Sequence, residues 1–285
     1  MNVKLPPFLA ELGKTSPEAA RWVEELPDLI SVFEERWELA IGEIYGADAT
    51  CSFVCSCKRK DGTEAVFKLG FPHTEALHEI EGLKVLQGNV SVKLYAYDKA
   101  SNALLLEKCE PGKHLRSESV EKQDDVLTSI LPKLWQTKFP AGTFRPLKEM
   151  VDQWNQETVE ALATFPDKKL ALKGCKLKEE LIDSTPQHVF LATDLHAGNL
   201  LSAQRKPWLV IDVKPYVGDP HYDLTQHLLN CLDRVEEDGK TLINKLANSC
   251  KLEEIRLQKW LYARLIAEQE GVHQQLAHNL FPEFR

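Results

Sequence analysis

The hydrophobic periodicity of this chain changes near residue 107. Before that point, short segments such as residues 50–58 and 63–70 alternate apolar and polar side chains, as β-strands do, on either side of an Asp61-Gly62 turn. After that point, most apolar side chains recur every three or four residues, which is typical of helices. The sequence therefore predicts a bilobal α+β fold, with a small β-rich N-terminal lobe and a large, mainly helical C-terminal lobe.

We place the boundary between the two predicted domains after residue 106. Residues 1–106 would contain a helical lead-in over residues 16–48, a β-sheet and one helix within residues 74–89. Residues 107–285 would contain helices with one embedded β-hairpin, formed by "GNLLSA" and "PWLVIDVKP". The helices predicted there cover residues 120–134, 147–165, 178–184, 223–233, 240–249 and 252–276.

Composition limits the classes of partner. With 43% hydrophobic and 27% charged residues, the chain has the composition of an ordinary globular protein. Its formal net charge of −8 disfavours nucleic acid, because phosphate backbones are bound by clustered Lys and Arg, and suits a cationic small molecule. No apolar window approaches the roughly 18 residues of a transmembrane helix, and the N-terminus lacks the apolar core of a secretion signal. We expect a cytoplasmic protein without a membrane partner.

Polar side chains interrupt an apolar stretch at "ATDLHAGNLL", residues 192–201. Asp194 and Asn199 have the Asp-x4-Asn spacing of a kinase catalytic loop, in which the Asp accepts a hydroxyl proton and the Asn binds magnesium. Asp212 ends the β-like run "WLVID", where a kinase has its second metal-binding carboxylate. Mg²⁺ prefers oxygen ligands of this kind. The predicted hairpin would bring these side chains together, in an arrangement suited to phosphoryl transfer.

The N-terminal lobe offers a lysine for nucleotide phosphates. In "EAVFKLG", a period of two places Val66 and Lys68 on one face of a strand. A lysine between apolar neighbours needs a carboxylate partner, and the helix that follows offers Glu75, Glu79 and Glu81. We choose Glu79, because it begins the apolar helical segment "EIEGLKVL". Glu75 remains an alternative.

These residues carry a family resemblance. The chain resembles aminoglycoside phosphotransferases of the protein-kinase-like superfamily, and is most similar to the aminoglycoside and hydroxyurea resistance kinases, a branch that includes streptomycin 6-phosphotransferases. The segments "ATDLHAGNLL", "PWLVIDVKPYVGDPHYD" and "LTQHLLNC" follow one another in the order of that branch. The wider family usually has "HGD" where this chain has "ATD", so Ala192 and Thr193 replace a supporting pair while Asp194 is retained.

The resemblance implies a set of roles for individual residues. It implies that the enzyme uses ATP and Mg²⁺, with Asp194 as catalytic base, Asn199 and Asp212 as metal ligands, and Lys68 paired with Glu79 on the phosphates. It further implies an interlobe linker at residues 107–110 whose backbone contacts adenine, which includes Glu107 and Cys109. The residues that it implies as structural support for the catalytic loop are His196, Asp219 and Asp223.

Two hypotheses of function remain at this stage. The first is an ATP-dependent kinase that transfers the γ-phosphate to a hydroxyl of an aminoglycoside such as streptomycin, or of hydroxyurea or another small polar metabolite. The second is a catalytically weak, kinase-like nucleotide-binding protein. The intact set of Asp194, Asn199, Asp212 and Lys68 favours the first, because a pure binding protein could lose one of them. The sequence leaves the acceptor, the choice of ATP or GTP and the oligomeric state open.

Overall fold

The computed structural model of the chain describes residues 5–46, 51–72 and 78–284. The chain divides into two compact units. Unit 1 comprises Met1–Gly112 with Ser202–Leu209, and unit 2 comprises Lys113–Leu201 with Val210–Arg285. The boundary predicted after residue 106 lies shortly before this division. Ser202–Leu209, which the sequence assigned to the C-terminal domain, groups instead with unit 1.

Unit 1 consists of helices and one antiparallel sheet. Helices α1 (Pro7–Leu12) and α2 (Pro17–Arg36) come first, and α3 (Glu79–Leu86) lies between the third and fourth strands. The strands are β1 (Ala40–Tyr45), β2 (Ser52–Lys58), β3 (Glu64–Gly70), β4 (Leu94–Asp98) and β5 (Ala103–Glu107), in the order β1-β2-β3-β5-β4. The hairpin predicted at residues 50–58 and 63–70 is confirmed as the antiparallel pair β2–β3.

The helical lead-in is shorter than the sequence predicted. Ser16 caps α2 by accepting a hydrogen bond from the backbone N–H of Ala19 at 3.1 Å, and the helix ends at Arg36. The prediction of helix to residue 48 is wrong, because β1 begins at Ala40. As an edge strand with mostly exposed side chains, β1 lacks the apolar alternation that identifies a half-buried strand.

The core of unit 1 forms between α2 and the sheet. The apolar side chains of α2 recur at helical spacing and pack with apolar side chains of the strands. The core residues contributed by α2, β2 and β3 include Trp22, Leu26, Ile30, Phe33, Phe53 and Phe67. The packing face of β3 alternates with the face that carries Lys68, so burial on one face leaves the lysine on the other.

Unit 2 is mainly helical, as predicted. Its helices are α4 (Val120–Trp135), α5 (Leu147–Glu160), α6 (Lys168–Asp183), α7 (Pro220–Leu229), α8 (Leu232–Cys250), α9 (Glu254–Ile266) and α10 (Gly271–Leu280). The single helix predicted over residues 252–276 is therefore two helices, and α6 starts well before the predicted residue 178. No helix in the described part of the chain is long and apolar enough to span a membrane.

Two short strand pairs bound the loops at residues 192–199 and 211–215. Strand β6 (Val189–Leu191) pairs with β9 (Tyr216–Gly218), and the predicted hairpin is confirmed as β7 (Leu200–Ser202) with β8 (Trp208–Val210). The pair β6–β9 was missed, because three residues are too few to show a period. The core beneath that pair includes Met150, Leu191, Tyr216, Tyr222 and Trp260. The loop after β6 is thereby fixed at both ends.

Candidate active site

The side chain of Asp194 lies in the loop between β6 and β7, with both carboxylate oxygens engaged. Lys214 donates from Nζ to Oδ2 at 2.7 Å, and Gln226 donates from Nε2 to Oδ1 at 2.9 Å. The Nδ2 of Asn199 donates to the backbone carbonyl of Asp194 at 2.9 Å. These contacts orient the carboxylate, which stays partly exposed, as a group that accepts a proton from a bound molecule requires.

The backbone before Asp194 is held by a buried carboxylate. Asp223, at 0% exposure, accepts hydrogen bonds from the N–H of Ala192 at 3.1 Å, the N–H of Thr193 at 2.8 Å and the indole N–H of Trp135 at 3.1 Å. Thr193 has a positive φ of 47°, a left-handed conformation that costs energy for a β-branched residue. Burial raises the pKa of Asp223 to about 6, although the donated hydrogen bonds act in the opposite direction.

His196 and Asp219, the other two residues predicted to support the catalytic loop, make contacts in different parts of unit 2. His196 is in the loop itself, where Nδ1 accepts a hydrogen bond from the N–H of Gly198 at 3.1 Å. Burial lowers the pKa of His196 despite the nearby charge of Asp194, which favours the neutral ring. Asp219 bonds to α9 instead, because it accepts from Arg256 Nε at 2.6 Å and Trp260 Nε1 at 2.7 Å. Among the described residues, its side-chain hydrogen bonds reach no part of residues 192–199.

Asn199 and Asp212 lie at corresponding ends of adjacent strands. The N–H of Ile211 donates to the carbonyl of Asn199 at 3.0 Å, which places Asp212 beside Asn199. Because Nδ2 of Asn199 is engaged by the carbonyl of Asp194, its Oδ1 is the atom left to face a metal. An amide oxygen and a carboxylate are hard ligands that fit Mg²⁺. Asp212 itself has a positive φ of 54°, which turns the chain out of β8 at this point.

Lys68 and Glu79 form a close ion pair in unit 1. Nζ of Lys68, on β3, lies 2.7 Å from Oε2 of Glu79, the first residue of α3. The two side chains are 12% and 4% exposed, so water screens the pair weakly. Glu75, the alternative partner, lies outside the described residues. The glutamate thus holds the ammonium group in place at the surface of the sheet.

The predicted linker, residues 107–110, begins at the last residue of β5. The carboxylate of Glu107 accepts hydrogen bonds from Nε and Nη2 of Arg205, each at 2.8 Å, and from the N–H of Lys93 at 2.9 Å. Burial alone would raise the pKa of Glu107, but the hydrogen bonds and positive charges of Arg205 and Lys93 together outweigh it, so the pKa is lowered. Cys109 is buried, which raises the pKa of its thiol to about 12. At both positions the side chain is engaged or buried. The backbone groups of these residues are therefore the ones that a nucleobase such as adenine could contact.

Three residues near Asp194 were missed by the sequence interpretation. They are Lys214, Gln226 and Arg264, whose Nη2 donates to Oε1 of Gln226 at 2.9 Å. Lys214 could have been suspected, since it follows Asp212 by two positions in the same segment. Arg264 could not, because it comes seventy residues after Asp194 and only α9 brings it close.

A cavity of about 450 Å³ lies within unit 2. Trp154, Phe165 and Arg264 line it together with Lys178 of α6. Phe165 and Lys178 are buried, whereas the carboxyl-bearing residues that line the cavity are exposed. Those exposed residues are Glu157, Glu268 and Glu270. The cavity thus has cationic and aromatic groups inside and carboxylates at its rim.

The chain is similar to known kinases in both sequence and fold. The family model described as "Aminoglycoside/hydroxyurea antibiotic resistance kinase" matches residues 36–270. Streptomycin 6-kinase of Streptomyces griseus is 32% identical over 279 residues, covering 93% of this chain and 89% of the relative. Hydroxyurea phosphotransferase of Kitasatospora aureofaciens is 32% identical over 274 residues, covering 93% of this chain and 78% of the relative.

A solved structure agrees on the fold. LicA, a choline kinase from Streptococcus pneumoniae, was solved in complex with AMP and matches with a TM-score of 0.64. The match covers 90% of this chain and 98% of that chain at 15% identity, so it concerns the fold alone. The predicted α+β, kinase-like fold is confirmed.

Proposed function

The chain belongs to the family of aminoglycoside/hydroxyurea antibiotic resistance kinases, and on that premise we propose that it transfers the γ-phosphate of ATP to a hydroxyl of streptomycin. The observation that carries the proposal is the arrangement at Asp194. Its carboxylate is oriented by Lys214 and Gln226, and Asn199 contacts its backbone carbonyl. This set supplies a base, a cation and a metal ligand in one loop region of unit 2.

The reaction that we propose is an in-line displacement at the γ-phosphorus. The acceptor hydroxyl donates its proton to Asp194 as its oxygen bonds to phosphorus, and the bond from phosphorus to the ADP oxygen breaks. Lys214, beside Asp194, adds positive charge where the transferring group carries negative charge. Asn199 and Asp212 would hold Mg²⁺, which when bound neutralises charge on the phosphates.

Nucleotide contacts in unit 1 belong to the same proposal. Lys68 would donate to the phosphates while Glu79 keeps the ammonium group in position. The backbone of residues 107–110 would contact adenine, since the side chains of Glu107 and Cys109 are engaged or buried. LicA, which has a similar fold, was solved in complex with AMP, and this supports nucleotide binding by the fold.

A coupled ADP-release assay tests the proposal. Purified protein with ATP and Mg²⁺ is offered streptomycin, other aminoglycosides, hydroxyurea and simple polyols, and product is identified by mass. We expect turnover with streptomycin that Asp194→Ala reduces by at least about 1,000-fold while ATP binding is retained. An exposed aspartate on α4 provides the matched control, Asp125→Ala, which should retain full activity.

The outcomes of the panel separate the alternatives. Turnover on hydroxyurea but not streptomycin would reassign the acceptor, and the equal similarity to a hydroxyurea phosphotransferase makes this the second candidate. Turnover that persists in Asp194→Ala would show that Asp194 is not the base. ATP binding without turnover on any acceptor would favour the kinase-like binding protein.

A further inference from the structure

Two hydrogen bonds connect the cavity of unit 2 to Asp194. Arg264 lines the cavity and donates from Nη2 to Oε1 of Gln226 at 2.9 Å. The side-chain amide of Gln226 in turn donates from Nε2 to Oδ1 of Asp194 at 2.9 Å. A rotated amide would put its nitrogen against the guanidinium and its oxygen against the carboxylate, so Arg264 determines which end of Gln226 faces Asp194.

Arg264 is held by contacts with two aromatic rings and a hydroxyl group. Its guanidinium lies over the ring of Tyr222 at 4.8 Å and over Trp154 at 5.7 Å, and Nη1 donates to Oγ1 of Thr225 at 2.7 Å. Guanidinium groups have further N–H donors beyond these contacts. A molecule in the cavity can therefore contact Arg264 without replacing its bond to Gln226.

Lys178 is a buried cation inside the cavity. The residue is 2% exposed, and no hydrogen bond or ion pair of its ammonium group is found among the described residues, although the nitrogen is not completely closed off from solvent. Burial lowers the pKa of Lys178, and the charge of Arg264 acts in the same direction. A buried ammonium without an acceptor is costly, so an oxygen atom of a bound molecule would stabilise it.

The rim of the cavity favours a positively charged group, whereas the interior favours oxygen atoms. Glu157, Glu268 and Glu270 place exposed carboxylates around the opening, and Trp154 and Phe165 supply aromatic surface. Oxygen atoms of a ligand would thus face Lys178 and Arg264, while a protonated amine would face the glutamates. At about 450 Å³ the cavity is in the size range of small-molecule sites. These features fit a hydroxylated, sugar-like group that carries a protonated amine.

We propose that this cavity binds the part of the acceptor remote from the reacting hydroxyl, and that Arg264, through Gln226, makes the orientation of Asp194 depend on that binding. The inference rests on the proposed function, because it takes Asp194 as the base and streptomycin as the acceptor. Streptomycin joins a diguanidino-cyclitol ring to a disaccharide with one amine, and the disaccharide has the chemistry that the cavity favours. Arg264 and Gln226 are then positioning residues.

The test compares a complete acceptor with a truncated one. Streptidine is the diguanidino-cyclitol ring without the disaccharide, so it offers hydroxyls but leaves the cavity empty. We expect the wild type to have a kcat for streptidine about tenfold below that for streptomycin, because remote binding energy acts on the reacting groups. In Gln226→Met and Arg264→Met, kcat for streptomycin should fall by about tenfold and kcat for streptidine by much less.

A second variant tests the cavity itself. Lys178→Met keeps an unbranched side chain of similar size but removes the donor, and should raise KM for streptomycin by about tenfold with little change for streptidine. Lys176→Met, on the same helix with its side chain 78% exposed, is the matched control and should change neither constant. Lys259→Met, an exposed position on α9, serves as the control for Arg264→Met. Thermal melting establishes that every variant is folded.

The outcomes distinguish the inference from the proposed function. Losses of the same factor for both acceptors, or an unchanged KM for streptomycin in Lys178→Met, would overturn the inference while leaving the kinase intact. A folded wild type that phosphorylates neither compound would overturn the proposed function and the inference with it. If Gln226→Met is unfolded, the Arg264→Met and Lys178→Met comparisons still decide.

Discussion

The ammonium group of Lys214 lies 2.7 Å from Oδ2 of Asp194, and the two side chains are 29% and 23% exposed. A cation in this position serves two purposes in the proposed reaction. It holds the base in one orientation together with Gln226, and it adds positive charge next to the site of phosphoryl transfer. Because water still reaches the pair, its contribution to folding should be small.

Replacement of Lys214 should therefore lower kcat more than stability. For Lys214→Met we expect kcat to fall by about 10- to 100-fold, with KM for ATP within a few-fold of wild type. Steady-state kinetics with varied ATP and streptomycin measure both constants. Lys122→Met, an exposed lysine of α4, is the control. An unchanged kcat in Lys214→Met would remove Lys214 from the mechanism.

The buried carboxylate of Asp223 should make stability depend on pH. Its folded-state pKa of about 6 exceeds the ordinary value of 3.8, so its contribution is fully present below pH 3.8 and is lost as the pH rises through 6. Relative to Asp223→Asn, the free energy of unfolding of the wild type should fall by about 2 kcal/mol between pH 4.5 and 7. Urea denaturation of both proteins across that range measures the difference. Parallel curves would contradict the raised pKa.

Local patterns predicted those parts of the site that lie close together in the sequence. The Asp-x4-Asn spacing identified Asp194 and Asn199, and strand alternation placed Lys68 opposite the face that carries Phe67. These predictions depend on the geometry of a single loop or strand. The roles assigned to the residues remain predictions, because the structure gives their positions and not their chemistry.

Other features depend on tertiary packing and could not be predicted. Arg264 reaches Gln226 only because α9 packs on α7. Asp219 was expected to support the loop from its place in "VGDPHYD", yet its carboxylate faces Arg256 and Trp260. Burial, charge pairing and helix packing decide which side chain a residue such as Asp219 or Arg264 contacts. The contacted residue lies in a distant segment, so the local sequence does not identify it.

Loss of the carboxylate at Asp212 should weaken magnesium binding more than nucleotide binding. Mg²⁺ is bound through few protein oxygens, so replacing one charged ligand by an amide removes much of the attraction. For Asp212→Asn we expect the Mg²⁺ concentration at half-maximal rate to rise by about tenfold or more. Magnesium titration of ADP release measures it, with the exposed Asp125→Asn as control. An identical titration in both proteins would place the metal elsewhere.

Asp219 should matter for stability and little for chemistry. Its carboxylate is fully buried and accepts from Arg256 Nε at 2.6 Å, so Asp219→Ala leaves a buried guanidinium without its counterion. Such a loss costs about 3 to 5 kcal/mol of unfolding free energy. Urea denaturation measures that cost, and the double variant Asp219→Leu with Arg256→Met should recover part of it, because no charge is left unpaired.

The same variant separates structural support from a direct role in the catalytic loop. The hydrogen bonds of Asp219 tie α7 to α9, whereas Asp223 contacts the N–H groups of Ala192 and Thr193. Measured at a temperature where Asp219→Ala is folded, kcat should thus stay within about threefold of wild type. A kcat that falls by about 100-fold in folded Asp219→Ala would mean that the loop depends on this carboxylate through α7. The kinetic measurement therefore decides whether Asp219 supports the catalytic loop, as expected from the sequence, or only connects α7 to α9, as its contacts indicate.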